Sequence, residues 1–317
     1  MGPLGFEPRT FRLSAASQSR FNTLRDARSK TLLNKHLRGF IEYLRAKKNL
    51  TDGTVTTTVN HLRTLFKRYT VLTPDDLVSL KATLMELGYS ASYVNKSINA
   101  CLHWLAYIGY EDVDIKRVPE HYDSATVEFL EKHQIRAIFR AIDNMEDEHL
   151  VYRNRAIIAS SLYVGARRSE VTRLTVYDIN LSRGYVRFRA PNTKNKMSDT
   201  VYMNDEAKEI FSDWLYYRQG HKYYGNTRIL YLNHRGETLT PDGLTRFYQD
   251  LSQVVGFRVT PTLLRHTLGT WMYLNGADIL DIKQHMRHRN INSTLKYVNT
   301  ANKYRLQRRV NQYLAFT

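Results

Sequence analysis

From about residue 31 onward, apolar residues recur three and four positions apart. Leu33, Leu37, Phe40, Ile41 and Leu44 predict one amphipathic helix starting near Thr31, with Lys and Arg on its other faces. Val55, Val59, Leu62, Leu65 and Phe66 repeat the pattern. Thr73-Pro74-Asp75-Asp76 reads as a helix start, with a Thr cap, Pro at the first helical position and acids in the first turn. Leu77, Leu80, Leu84 and Leu87 follow, and Gly88 suits a stop. Val94, Ile98, Cys101, Leu102 and Leu105 predict a further helix. Residues 29–114 are therefore expected to form a small all-helical domain, and residues 1–28, which include Gly and Pro but no apolar stripe, a flexible tail.

The period is lost over residues 115–128, which contain Pro119 and are expected to be a linker. Helical spacing resumes near Phe129. Two short alternating runs, Tyr185 to Arg189 and Thr200 to Met203, flank a polar loop from Pro191 to Asp199 and predict a β-hairpin. Thr240-Pro241-Asp242 and Thr260-Pro261 are two more helix starts. The expected fold is mainly α with a small β-sheet, in two domains, with residues 129–317 forming an α+β domain.

Composition adds a partner. The chain of 317 residues carries 47 Lys and Arg against 30 Asp and Glu, a formal charge of +17. The excess is uneven: Met286 to Val310 holds seven basic side chains and no acid. Such an excess favours a polyanion, nucleic acid before an acidic membrane. The single cysteine, Cys101, excludes an internal disulfide and a Cys-cluster zinc site. Residues 156–166, the longest apolar-leaning run, are too few to span a bilayer. A soluble, cytoplasmic, DNA-associated protein with no membrane partner is expected.

The chemistry lies in four separated boxes. Residues 164–171 read Val-Gly-Ala-Arg-Arg-Ser-Glu-Val, and residues 262–267 read Thr-Leu-Leu-Arg-His-Thr. Met-Arg-His follows at 286–288, then Thr294 and Tyr297. Each is weak alone; their order and spacing are specific. In them the chain resembles the tyrosine recombinases, the phage-integrase family of site-specific DNA recombinases. The likeness extends over about residues 30–310, and the region before the boxes matches the family's core-binding domain only in general pattern.

The resemblance implies cleavage and rejoining of DNA through a 3′-phosphotyrosine, with no cofactor and no metal. Tyr297 would be the nucleophile; Tyr304 is the rival that the spacing from His288 disfavours. Arg167 and Arg265 would hold the non-bridging oxygens, a task suited to a permanently charged, bidentate fork. Lys194 on the hairpin loop would protonate the leaving 5′ oxygen, with Lys196 the alternative. His288 would hydrogen-bond the phosphate or the tyrosine, Glu170 would orient the first arginine, and Arg168, Arg287 and Arg289 would face DNA. The family also implies a C-shaped clamp on double-stranded DNA and a homotetramer in the synaptic complex. One position departs: three before the second arginine the family has His, and here stands Thr262, whose hydroxyl can donate but is no base near neutral pH. Some recombinases of archaeal viruses and plasmids depart there too. His266 is a weak substitute candidate. A metal-dependent nuclease would need clustered carboxylates, and none of the spacings supplies them.

Gly5-Phe6-Glu7-Pro8 can be encoded by GGN-TTY-GAR-CCN, a set that includes GGGTTCGAACCC, the pattern of a transfer-RNA T arm. Integrases commonly recombine at tRNA genes, so the codons of residues 1–15 are expected to overlap an attachment site. The coding DNA decides this: codons that pair as a T-arm stem support the overlap, and codons that cannot pair remove it.

Overall fold

A computed structural model describes residues 29–120, 126–189, 198–222, 224, 227–233 and 235–314. The tail at 1–28 and both hairpin lysines, Lys194 and Lys196, lie outside the described residues. The chain divides into two units, with the boundary between Glu120 and His121. Among the described residues, no helix is long and apolar enough to cross a membrane.

The first unit is all helical: α1 (Ser29–Lys35), α2 (Leu37–Ala46), α3 (Asp52–Leu65), α4 (Pro74–Glu86) and α5 (Ala91–Ile108). The first expected helix is thus two, separated at His36, although the backbone ladder still runs from Phe40 N to His36 O. Trp104, fully buried on α5, centres the core. Its indole meets Phe40 edge-on at 5.5 Å and donates to the Val71 carbonyl at 3.2 Å, so the ring's one polar atom is satisfied inside. The start of α4 is a reciprocal cap: Asp76 N donates to Thr73 Oγ1, and Thr73 N donates to Asp76 Oδ2. Gly88 follows at φ 73°, where a side chain would strain.

The expected linker is too long at both ends. Ile115 and Val118 pack on the first core, and Val118 exchanges two hydrogen bonds with the Asn95 side chain. At the other end Val127 N donates to Thr300 Oγ1, within the second unit. Both segments carry apolar residues without helical period, so they pack as extended chain that periodicity does not register.

The second unit contains α6 (Lys132–Asp143), α7 (Glu148–Leu162) and the single turn α8 (Arg168–Val171). A three-stranded antiparallel sheet follows: β1 (Ile179–Asn180), β2 (Tyr185–Phe188) and β3 (Asp199–Tyr202), in the order β1-β2-β3. Tyr185 pairs with Tyr202 and Phe188 with Asp199, which is the expected hairpin. The added strand β1 is two residues long and leaves no alternation to read. Then come α9 (Asp205–Gly220), α10 (Pro241–Val255), α11 (Pro261–Leu274), α12 (Ile279–His285) and α13 (Asn292–Tyr313). Thr240 and Thr260 cap α10 and α11 through their hydroxyls, as the sequence predicts. Trp214, Phe211, Tyr231 and Tyr248 lie in the main core, while Ile282, Met286 and Tyr297 form a second, smaller one. The chain is therefore mainly α with a small sheet.

The cap on α4 is testable in isolation. Thr73→Ala should cost about 1 kcal/mol of stability, read as an earlier urea midpoint at unchanged slope for the first unit.

Candidate active site

The boxes converge in the second unit, around one buried carboxylate. Glu170 lies in α8, and its side chain is 1% exposed. Oε1 accepts from Arg167 Nη1 at 2.9 Å, and Oε2 accepts from Arg167 N at 2.8 Å and Arg287 Nη2 at 2.7 Å. Burial works against its charge, but Arg287 and then Arg167 outweigh it and hold the carboxyl below its usual range. Arg167, a quarter exposed, is thereby aimed from the start of α8.

Arg265 reaches the same place from α11. Its guanidinium donates to the carbonyls of Gly165 and Met286. Burial, then the charges of Arg167 and Arg287, push its pKa down to about 9, so it remains a cation at neutral pH. Gly165 is needed on two counts: its φ is +59°, and an added Cβ would sit 3.2 Å from Arg265 Nη1.

Arg287 corrects an expectation. It does not face DNA: its side chain is 3% exposed, paired with Glu170 and stacked 3.6 Å from the Phe188 ring centroid. A basic residue in the middle of the third box reads as surface, because its acid partner is 117 positions away in sequence. Arg168 and Arg289 are exposed. Arg168 donates to Thr245 Oγ1 at 3.1 Å and, with the exposed Thr262, lines a groove shared with Gln249, Gln253 and Arg258.

Tyr297, on α13, is 1% exposed. Its ring lies between two histidines, His288 stacked at 5.9 Å and His266 edge-on at 5.7 Å. Burial pushes the phenol up to about 12, against the pull of Arg265 and Arg167. Both histidines are held neutral, His288 pushed down to about 3 and His266 to about 4, by burial first and by surrounding cations second. His288 Nδ1 is 2.9 Å from the hydroxyl of fully buried Thr294, which orients the ring and leaves Nε2 for another partner. That contact accounts for the threonine three before the tyrosine. Tyr304 stands apart from the arginines' partners: its ring packs edge-on against Phe129 at 5.2 Å and Trp271 at 6.4 Å.

Sequence reading missed two residues here. Gly269 lies one turn after Arg265 on α11, and a Cβ there would come within 2.6–2.9 Å of three Tyr297 ring carbons. Its place four after a box arginine, on the same helix face, is the only sequence signal. The other is Lys296, whose Nζ is 3.3 Å from His266 Nε2.

Two guanidiniums, two neutral imidazoles and a phenol in one pocket form an anion site beside a latent oxygen nucleophile. The Phage integrase family model matches residues 128–303, and the chain belongs to that family, the tyrosine site-specific recombinases. Among curated proteins it is similar to tyrosine recombinase XerC of Roseiflexus castenholzii, 24% identical over 84% of this chain and 88% of that protein. It is also similar to XerD of Oceanobacillus iheyensis, 23% identical over 84% and 94%. Among solved structures, XerH recombinase bound to a palindromic difH substrate gives a TM-score of 0.66 at 18% identity, covering 96% of this chain and 91% of that one. The Tn1549 transposon integrase with circular-intermediate DNA gives 0.59 at 18%, covering 85% and 97%.

The Glu170–Arg287 pair can be broken by a single substitution. Arg287→Ala strands a buried carboxylate and should destabilise the second unit by about 3–5 kcal/mol in urea unfolding. A loss under ~1 kcal/mol would fit a surface arginine instead.

Proposed function

We propose that the protein is the integrase of a mobile element, cutting and rejoining duplex DNA at a tRNA gene through a 3′-phosphotyrosine on Tyr297. The observation that carries the chemistry is the placement of Tyr297 between His288 and His266, with Arg265 and Arg167 drawing its pKa down. On this reading the scissile phosphate sits between the two arginines. Arg265 spends two of its five N–H groups on carbonyls and keeps three for phosphate oxygens. Tyr297 Oη attacks phosphorus and gives its proton to solvent water, while the P–O5′ bond breaks and the leaving oxygen takes a proton from Lys194, or from Lys196 as the alternative. His288 offers Nε2 to the phosphate, Thr262 a hydroxyl, and Glu170 positions Arg167. Arg168 and Arg289 take backbone phosphates, so affinity should fall steeply with salt. Four such sites would act in a homotetrameric synapse, in the cytoplasm.

The tRNA gene as target rests on the T-arm reading of residues 5–8. A second reading, resolution of chromosome or plasmid dimers, is favoured by the XerC and XerD relatives, which match along most of their length.

Covalent trapping tests the chemistry. Nicked duplexes, some carrying tRNA-gene sequence and some difH, are incubated with the protein, and adducts are read on a denaturing gel. Wild type and Tyr304→Phe should form the adduct, and Tyr297→Phe should not. Preference for the tRNA duplexes supports integration, and preference for difH supports dimer resolution. No adduct on any duplex, despite binding, overturns the reading.

A further inference from the structure

Lys296 precedes Tyr297 on α13, at a position of the fourth box to which the pattern assigns no residue type. Its half-buried ammonium lies 3.3 Å from His266 Nε2 and 5.2 Å from the Tyr297 ring centroid. An ammonium can only donate, so His266 accepts through Nε2 and carries its own hydrogen on Nδ1. The neutral state of His266 is what makes this contact attractive; a protonated imidazole would repel the lysine.

The remaining cations of the cluster differ. Arg167 and Arg287 share Glu170, and Arg265 is tied to two carbonyls. Among the described residues, no carboxylate forms an ion pair with Lys296, and the charge that acts on it is another cation, Arg265. Burial and Arg265 both press its pKa down, and its charge in turn lowers His288. An uncompensated, partly desolvated cation costs free energy in the resting protein. A phosphate entering between Arg265 and His288 would supply the missing countercharge.

The position also answers the departure at Thr262. Thr262 and His266 are four apart on α11, hence one turn apart on the same face. The lysine held at His266 places a charged N–H donor on the face of α11 where the hydroxyl of Thr262 is neutral. We propose that Lys296, held at His266 Nε2, is a further catalytic residue: it donates an N–H to a non-bridging oxygen of the scissile phosphate. Lys296 stays protonated throughout, so it adds charge and a hydrogen bond without changing which bonds form or break.

The inference rests on cleavage by Tyr297, and the test separates the two. Single-turnover adduct formation is measured on the duplex that wild type traps best, with a normal scissile phosphate and with a methylphosphonate, in which one charged oxygen becomes a neutral methyl. Melting temperature and DNA binding are followed in parallel. On the phosphodiester, Lys296→Ala should be slower by on the order of 100-fold, with melting and binding unchanged, and Lys296→Arg should recover most of the rate. On the methylphosphonate the deficit should shrink at least about tenfold, because less charge awaits neutralisation. A lysine that merely joins α11 to α13 would give the same deficit on both substrates, and that result overturns the proposal. So does an unimpaired Lys296→Ala. Wild type failing on every duplex overturns the reading of Tyr297 and this inference together.

Discussion

The catalytic unit depends on one desolvated carboxylate. Glu170 sits among three arginines, Arg167, Arg265 and Arg287, and it is the only acid hydrogen-bonded to the boxes' arginines among the described residues. Without it, Arg287 would be a buried cation pressed on an aromatic face, and Arg167 would lose the partner that aims it. Buried ion pairs add little net stability against apolar packing, but breaking one is costly. The pair therefore ties the first box to the third by making their separation expensive. Arg265 spans the same two segments through the carbonyls of Gly165 and Met286. Two independent bridges thus fix the region into which the guanidiniums project.

What Glu170 leaves uncancelled is as telling. One carboxylate serves Arg167, Arg265 and Arg287, and Lys296 adds a further charge beside Arg265, so the pocket carries surplus positive charge. The histidines beside it are depressed below their normal range and add none. Such a pocket is preorganised for an anion: its dipoles and charges are already in place, held by packing rather than by the ligand. The neutral imidazoles are useful for the same reason, since each can accept as well as donate.

The sequence made the boxes legible because their chemistry dictates residue type: permanent cations, an imidazole and a phenol, at spacings one family shares. The capped helix starts at Thr73, Thr240 and Thr260 were legible from local rules alone. Arg287 was misread because its meaning depends on Glu170, far away in sequence, and on Phe188 across the fold. Gly269 and Lys296 were invisible for a related reason. Each matters only through a helix that packs against its own, and a one-dimensional pattern records which face a residue occupies but not what lies opposite. Strand β1 was too short to show alternation, and the linker's ends pack without helical period.

Tyr297 is both the residue on which the proposed chemistry turns and a member of a hydrophobic core, with Ile282 and Met286. In most enzymes those populations are separate, so packing can be improved without touching the reagent. Here they coincide. Any change that tightens this small core also deepens the well in which the phenol rests, and any change that loosens it frees the phenol at the expense of folding. A search for more heat-resistant variants should find this core refractory, and the tolerant positions should instead lie around Trp214 in the larger core or Trp104 in the first unit.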